Sequence, residues 1–215
     1  SGNADKAIVF TNCHDITIIN STFETESWVT FYFVFSAAGS YSNFVLAGND
    51  FSHTSGAVWM ATAMANTDIH TLLYTNNTFH DFSSQIGYGV HGDGALHWYT
   101  VPAGDSTQYL DGVMFANNRF YGDFRRSAGD TGGMTAFFFA EGGISGNIIN
   151  NDMSFYPSQN NMFNGFIVVG GNGNTHSGPL GIYGNTLFNN GVNSMSAGVQ
   201  ISSSVPNTTI KNNLF

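Results

Sequence analysis

The sequence predicts an all-β solenoid: about seven coils of strands stacked in parallel, with almost no helix. Three observations predict it. A short phrase recurs seven times along the 215 residues: an apolar stretch, then Asn, then one residue, then a large apolar residue. A second run, rich in β-branched and aromatic residues, precedes each copy. No segment carries apolar residues at i, i+3, i+4 and i+7 between capping residues.

The phrase reads ITIINSTF ending at Phe23, FVLAGNDF at Phe51, LLYTNNTF at Phe79 and VMFANNRF at Phe120. It returns as ISGNII at Ile149, IYGNTL at Leu187 and IKNNLF at Phe215. Six copies place Asn two residues before the final apolar one: Asn49, Asn77, Asn118, Asn147, Asn185 and Asn213. The first has Ser21 there. By subtraction the ends lie 28, 28, 41, 29, 38 and 28 residues apart. A period of this size marks a solenoid whose single units cannot bury their own apolar faces. The phrase Asn is expected to serve twice, tolerating the unusual backbone angles of a corner and hydrogen-bonding up and down its column.

The preceding strands are AIVF (7–10), FYFVFS (31–36), AVWMAT (57–62), ALHWYT (95–100), TAFFFAE (135–141), FIVVGG (166–171) and GVQISS (198–203). The final residue of each phrase begins a third strand. Stacked at about 4.8 Å per coil, seven coils make a rod roughly 34 Å long.

Composition narrows the function. Charged residues make up 9% of the chain, against about a quarter in an ordinary globular protein. The 42% of hydrophobic residues and 20 Phe argue for a packed fold rather than disorder. A net charge of −9 with five basic residues lacks the basic footprint that nucleic acid or an anionic membrane needs. No apolar run reaches membrane-spanning length, and no signal peptide is expected within these 215 residues. Cys13 has no second cysteine to pair with and is read as a turn residue. The chain reads as one domain over 1–215, either a mature product or a piece of a longer solenoid.

An I-x-x-N-x-F phrase once per coil, in an Asn-, Gly- and Ser-rich chain, resembles the right-handed parallel β-helix, or pectin-lyase-like, superfamily. The resemblance runs from about Ala7 to Phe215. It implies loops that wall a polysaccharide groove along the first sheet. It does not fix one activity, because the superfamily spans lyases, hydrolases, epimerases, tailspikes and structural surface proteins.

Aligned on the first strands, Val58, Leu96, Phe137, Ile167 and Val199 form one inward column, and Met60, Trp98, Phe139, Val169 and Ile201 another. Trp59, His97, Phe138, Val168 and Gln200 then face outward, with Tyr99 beside them. Flat aromatic faces suit the apolar faces of sugar rings, so Trp59, His97, Tyr99, Phe138 and Arg126 are the expected substrate-binding residues. The same stripe would also serve under covering loops.

Long insertions at 80–93, 121–134 and 150–164 fall in three successive coils and gather on one side, with much of the scarce charge. The phrase HGDGALHWY sets His91 and Asp93 just before a strand. A hydrolase needs two carboxylates about 5–9.5 Å apart. Asp93 with Asp123 or Asp130 would supply them, and His91 would tune one. Glu141 lies too far along its strand to pair with Asp93. A lyase needs a base and neutralisation of a uronate, for which Arg125 and Arg126 are the basic pair. Ca²⁺ is a candidate cofactor, since related lyases use it and several Asp residues are present, but no metal-ligand string fixes a site.

The expected function is thus an extracellular or cell-surface solenoid that binds polysaccharide, with hydrolase or lyase cleavage as its candidate chemistry. The alternative is a non-catalytic structural solenoid of a surface layer, filament or tailspike. Uncapped repeat ends suggest end-to-end self-association or further coils. Of the N-x-S/T matches, those at Asn20 and Asn76 are expected to be buried by the Asn column, leaving Asn207 as a glycosylation acceptor.

Overall fold

The computed structural model describes residues 6–25, 27–82, 94–101, 107–122, 135–155, 165–170, 178–189, 197–202 and 207–215. Among them there is no helix, and the strands follow one another three to a coil. The first coil holds β1 (Lys6–Thr11), β2 (Ile16–Ile19) and β3 (Thr22–Glu24), and the second β4 (Val29–Phe35), β5 (Gly39–Ala47) and β6 (Asp50–Ser52). The third holds β7 (Val58–Thr62), β8 (Thr67–Thr75) and β9 (Thr78–His80), and the fourth β10 (Leu96–Thr100), β11 (Gln108–Ala116) and β12 (Arg119–Tyr121). The fifth holds β13 (Phe138–Ala140), β14 (Gly143–Ile149) and β15 (Asp152–Phe155). The sixth holds β16 (Gly165–Val169), β17 (Leu180–Tyr183) and β18 (Thr186–Asn189), and the seventh β19 (Ala197–Ile201) and β20 (Thr208–Lys211).

Every strand pairs in parallel with its equivalent one coil away, giving a seven-stranded, a second seven-stranded and a six-stranded sheet. A bridge between Thr186 and Leu214 continues the third sheet into the last coil. The chain is therefore a parallel β-helix of seven coils, as the repeat predicts.

Strand alternation fills the interior. Inward residues of the first sheet, such as Phe31, Phe33, Met60 and Trp98, meet those of the second, such as Phe44, Leu72 and Phe115, in one continuous core. The final residue of each phrase closes the third side. Phe23, Phe51, Phe79 and Phe120 stack ring on ring with centroids 5.2, 5.2 and 4.6 Å apart. That spacing is the strand-to-strand distance, so each coil delivers one ring to the same column.

The Asn column is a hydrogen-bonded ladder. Asn77 donates its backbone N–H (3.0 Å) and its Nδ2 (3.1 Å) to Oδ1 of Asn118. Its Nδ2 also reaches the Leu46 carbonyl of the preceding coil at 2.9 Å. The same pattern runs through Asn49, Asn77, Asn118, Asn151, Asn185 and Asn213. Each amide thus satisfies backbone groups at a corner that would otherwise be buried unpaired.

Three expectations about this column are corrected. The fifth rung is Asn151, not Asn147: Asn118 is bonded to the residue 33 positions on, and Asn151 to one 34 on. The fifth phrase therefore reads IINNDM and ends on the buried Met153. The two roles given to one Asn also belong to two neighbours. The left-handed residue is the one before each rung: Asn20, Gly48, Asn76, Asn117, Asn150, Gly184 and Asn212, with φ between 50° and 66°. Asn and Gly enter this region most easily, so the first residue turns the chain and the second bonds it. Asn20 and Asn76 consequently lie exposed, and the expectation that the ladder buries them does not hold.

Candidate functional site

The outward face of the first sheet carries one row across six coils: Tyr32, Trp59, His97, Phe139, Val168 and Gln200 are in register. Trp59, His97 and Val168 stand where the sequence places them. Phe138 does not. It pairs with Leu96 and Ile167, points into the core and is fully buried, so its expected substrate role is withdrawn. Phe139 takes the outward place.

The one-residue shift assembles the site. With Phe139 outward, Glu141 is outward too, two positions along the same strand direction. Its Oε2 lies 3.0 Å from Nε2 of His97. The imidazole sits between rings on both sides: Phe139 stacks on it at 4.7 Å with 19° between planes, and Trp59 meets it at 4.5 Å and 80°. Tyr99 lies 5.1 Å from the same ring. Between Tyr99 and the second coil stands only Ala61, and across it the Tyr99 hydroxyl reaches that of Tyr32 at 2.8 Å. Lys6 sets its ammonium 4.2 Å over the Tyr32 ring.

Burial is graded. Trp59, Phe139 and His97 keep 8%, 7% and 4% of their surface, while Tyr32, Tyr99 and Glu141 remain partly accessible. Ala136, Phe139 and Val168 form a small apolar cluster separate from the main core. Burial pushes the Tyr99 phenol far above its ordinary range, and the bond to Tyr32 and the Glu141 charge add to the shift. Tyr99 is therefore neutral at any physiological pH. The site thus holds a neutral phenol, and an imidazole fixed by a carboxylate and two rings. That set can orient a hydroxyl-rich ligand and pass a proton between His97 and Glu141.

His91 and Asp93 lie outside the described residues, as do Asp123, Arg125, Arg126 and Asp130. Trp59, His97 and Tyr99 are brought together. Glu141 and Phe139 were missed as members of the site. One signal in the sequence points to both: a carboxylate avoids the core, so Glu141 in TAFFFAE must face outward, and alternation then carries Phe139 out and Phe138 in. No group of three or more His, Cys, Asp or Glu side chains is placed to hold a metal ion among the described residues. The remaining described histidines each meet a carboxylate: His14 with Asp15, His53 with Glu24, His70 with Asp111, and His80 with Asp50 and Asp81.

No protein-family model, no curated protein and no solved structure matches this chain.

Proposed function

We propose that this parallel β-helix works outside the cell or on its surface and binds polysaccharide along the outer face of its first sheet, over Tyr32, Tyr99 and the His97–Glu141 pair. One observation carries the reading: a His–Glu pair at 3.0 Å, clamped between Trp59 and Phe139 and flanked by partly accessible tyrosines. A low-charge face of aromatic rings, hydroxyls and one carboxylate matches a sugar chain, which offers apolar ring faces edged by hydroxyls. The resemblance of the repeat to pectin-lyase-like β-helices points the same way.

Cleavage is the further step of this reading. His97 would act as base and the neutral Tyr99 as acid for a lyase. For a hydrolase, Asp93 with Asp123 or Asp130 would supply the two carboxylates. The partner is polysaccharide, and Ca²⁺ would enter only through residues beyond those described.

A structural role is the second reading. The near-complete burial of Trp59, His97 and Phe139 favours it, because a row so covered serves as a satellite core as well as a ligand platform. In that case copies of the chain would associate as surface or filament material.

A panel of pectin, alginate and neutral glycans separates the readings. Affinity electrophoresis reports binding, reducing ends report hydrolysis, and absorbance of unsaturated products reports elimination. The binding reading expects retardation on at least one polysaccharide. No retardation on any of them favours the structural role.

A further inference from the structure

Beside the start of the aromatic row lie two indoles whose polar edges are idle. Trp28, just before β4, packs its ring 4.2 Å from that of Trp59, at 68°. Among the described residues, neither Nε1–H has a hydrogen-bond partner, although both nitrogens are buried. Trp59 itself is more than nine-tenths buried. The third tryptophan shows what an indole in this fold ordinarily does: Trp98 donates its Nε1–H to the Gly143 carbonyl at 3.0 Å. A buried N–H without an acceptor is costly, and two in contact are unusual in a folded protein.

The surroundings supply what an acceptor needs. Gly56 lies against the polar edge of Trp59, and a Cβ there would stand 3.0 Å from Nε1 and 3.7 Å from the Trp28 carbonyl. The bare Cα keeps that space clear. Lys6 brings a positive charge, its ammonium 5.9 Å from the Trp28 ring and 4.2 Å from that of Tyr32. Trp28 is only half-buried and Lys6 is exposed. Glu141, the carboxylate beside the row, stands toward the other end of the strands and three coils from Trp28.

We propose that Trp28, Trp59 and Lys6 form a subsite for an oxyanion, to which the two indole N–H groups donate and whose charge the ammonium neutralises. Its ligand is a carboxylate or sulfate group, free or as a substituent. Indole donors are neutral, so the subsite recognises an acceptor oxygen without a high local charge, in keeping with a chain of only five basic residues. This goes beyond glycan binding as proposed above, because a small anion suffices to fill it.

The test is the indole N–H region of the ¹H–¹⁵N spectrum of the whole chain. It holds three signals, assigned through Trp28→Phe and Trp59→Phe. Sodium sulfate and sodium acetate are titrated separately at constant ionic strength held with sodium chloride. The expected result is a saturable shift of the Trp28 and Trp59 signals with the Trp98 signal fixed. The salt that saturates first identifies the oxyanion class. Gly56→Ala should abolish the shift, and Lys6→Ala should weaken the apparent affinity roughly two- to fivefold, as for loss of an exposed ion pair. Lys6→Ala alters only an exposed side chain, so it serves if Gly56→Ala does not fold. Shifts that never saturate, that affect Trp98 equally, or that survive both variants unchanged would overturn the proposal. The polysaccharide panel reads the Tyr32–Tyr99–Glu141 face, so failure there leaves this outcome separate.

Discussion

Glu141 meets His97 across neighbouring coils, Oε2 to Nε2 at 3.0 Å, although 44 residues separate them in the chain. The parallel register creates this pair. It exists because β13 pairs with β10 so that Phe139 lies beside His97, which sets Glu141 against the same imidazole. His97 is almost wholly buried, with its side chain 5% exposed, and that of Glu141 is 24% exposed. Removing the carboxylate takes this bond away from a buried imidazole. Glu141→Ala should lower the unfolding free energy by roughly 1–3 kcal/mol. Urea denaturation of wild type, Glu141→Ala, His97→Ala and the double variant should show coupling of about 1 kcal/mol. Additive effects would mean that the two groups do not interact in solution.

The ladder makes a contrast between two asparagines of one coil. Asn151 is 1% exposed, donates to Asn185 and to the Phe115 carbonyl, and accepts two bonds from Asn118. Asn147 is only half-buried and its side chain belongs to no rung. Asn151→Ala should cost roughly 3 kcal/mol or more, because several buried groups lose partners together. Asn147→Ala should stay within about 1 kcal/mol of wild type. Urea or thermal denaturation decides it, and equal costs would contradict the rung assignment.

These two residues also show what the sequence leaves open. The period predicts a β-helix because one apolar residue per coil must return to the same column. Only the fifth coil misleads. ISGNII and IINNDM overlap there, and both offer Asn followed two residues on by an apolar side chain. The register of β13 is hidden for a related reason. TAFFFAE carries three consecutive Phe, so hydrophobicity does not alternate and cannot choose a face. The charge of Glu141 breaks that tie. His97 and Tyr99 are legible because GALHWYT alternates cleanly, and Trp59 because AVWMAT aligns with that strand. The Trp28–Trp59 contact is not, because Trp28 lies just before its strand, where alternation does not apply.

Two phenols should resist ionisation. Tyr74 is fully buried and donates to the Ala95 carbonyl at 2.9 Å, and burial raises it well above the ordinary tyrosine range. Tyr99 is raised by burial, by its bond to Tyr32 and by Glu141. For a group whose folded pKa is raised, the stabilising contribution is present below the unfolded value of about 10 and is lost as pH rises through the folded one. Alkaline titration of phenolate absorbance should therefore leave at least two of the nine tyrosines silent until the chain unfolds. Tyr99→Phe should remove one from the silent class. Smooth ionisation of all nine in the native state would contradict the packing around Tyr74 and Tyr99.

Asp15 titrates in the opposite sense. Asn43 donates to its Oδ1 at 2.7 Å and His14 lies 2.6 Å from Oδ2, and these bonds hold the carboxyl below its ordinary range. Its contribution to stability is present above the unfolded value of about 3.9 and is lost as pH falls through the lowered one. Asn43→Ala should move the Asp15 midpoint upward in a carboxyl-carbon NMR titration. An unchanged midpoint would show that the Asn43 bond does not persist in solution.

The glycan face is tested most directly by affinity electrophoresis of wild type beside a Tyr32→Ala, Tyr99→Ala double variant, across the polysaccharide panel. Both tyrosines are partly accessible and bonded to one another at 2.8 Å, so the variant strips the open part of the row while leaving Trp59, His97 and the main core in place. The account predicts that wild type is retarded by at least one polysaccharide. It predicts that the variant, still folded by circular dichroism, loses at least tenfold in affinity, about 1.4 kcal/mol or more. Equal retardation of both proteins, or none of wild type on any polysaccharide, would contradict it.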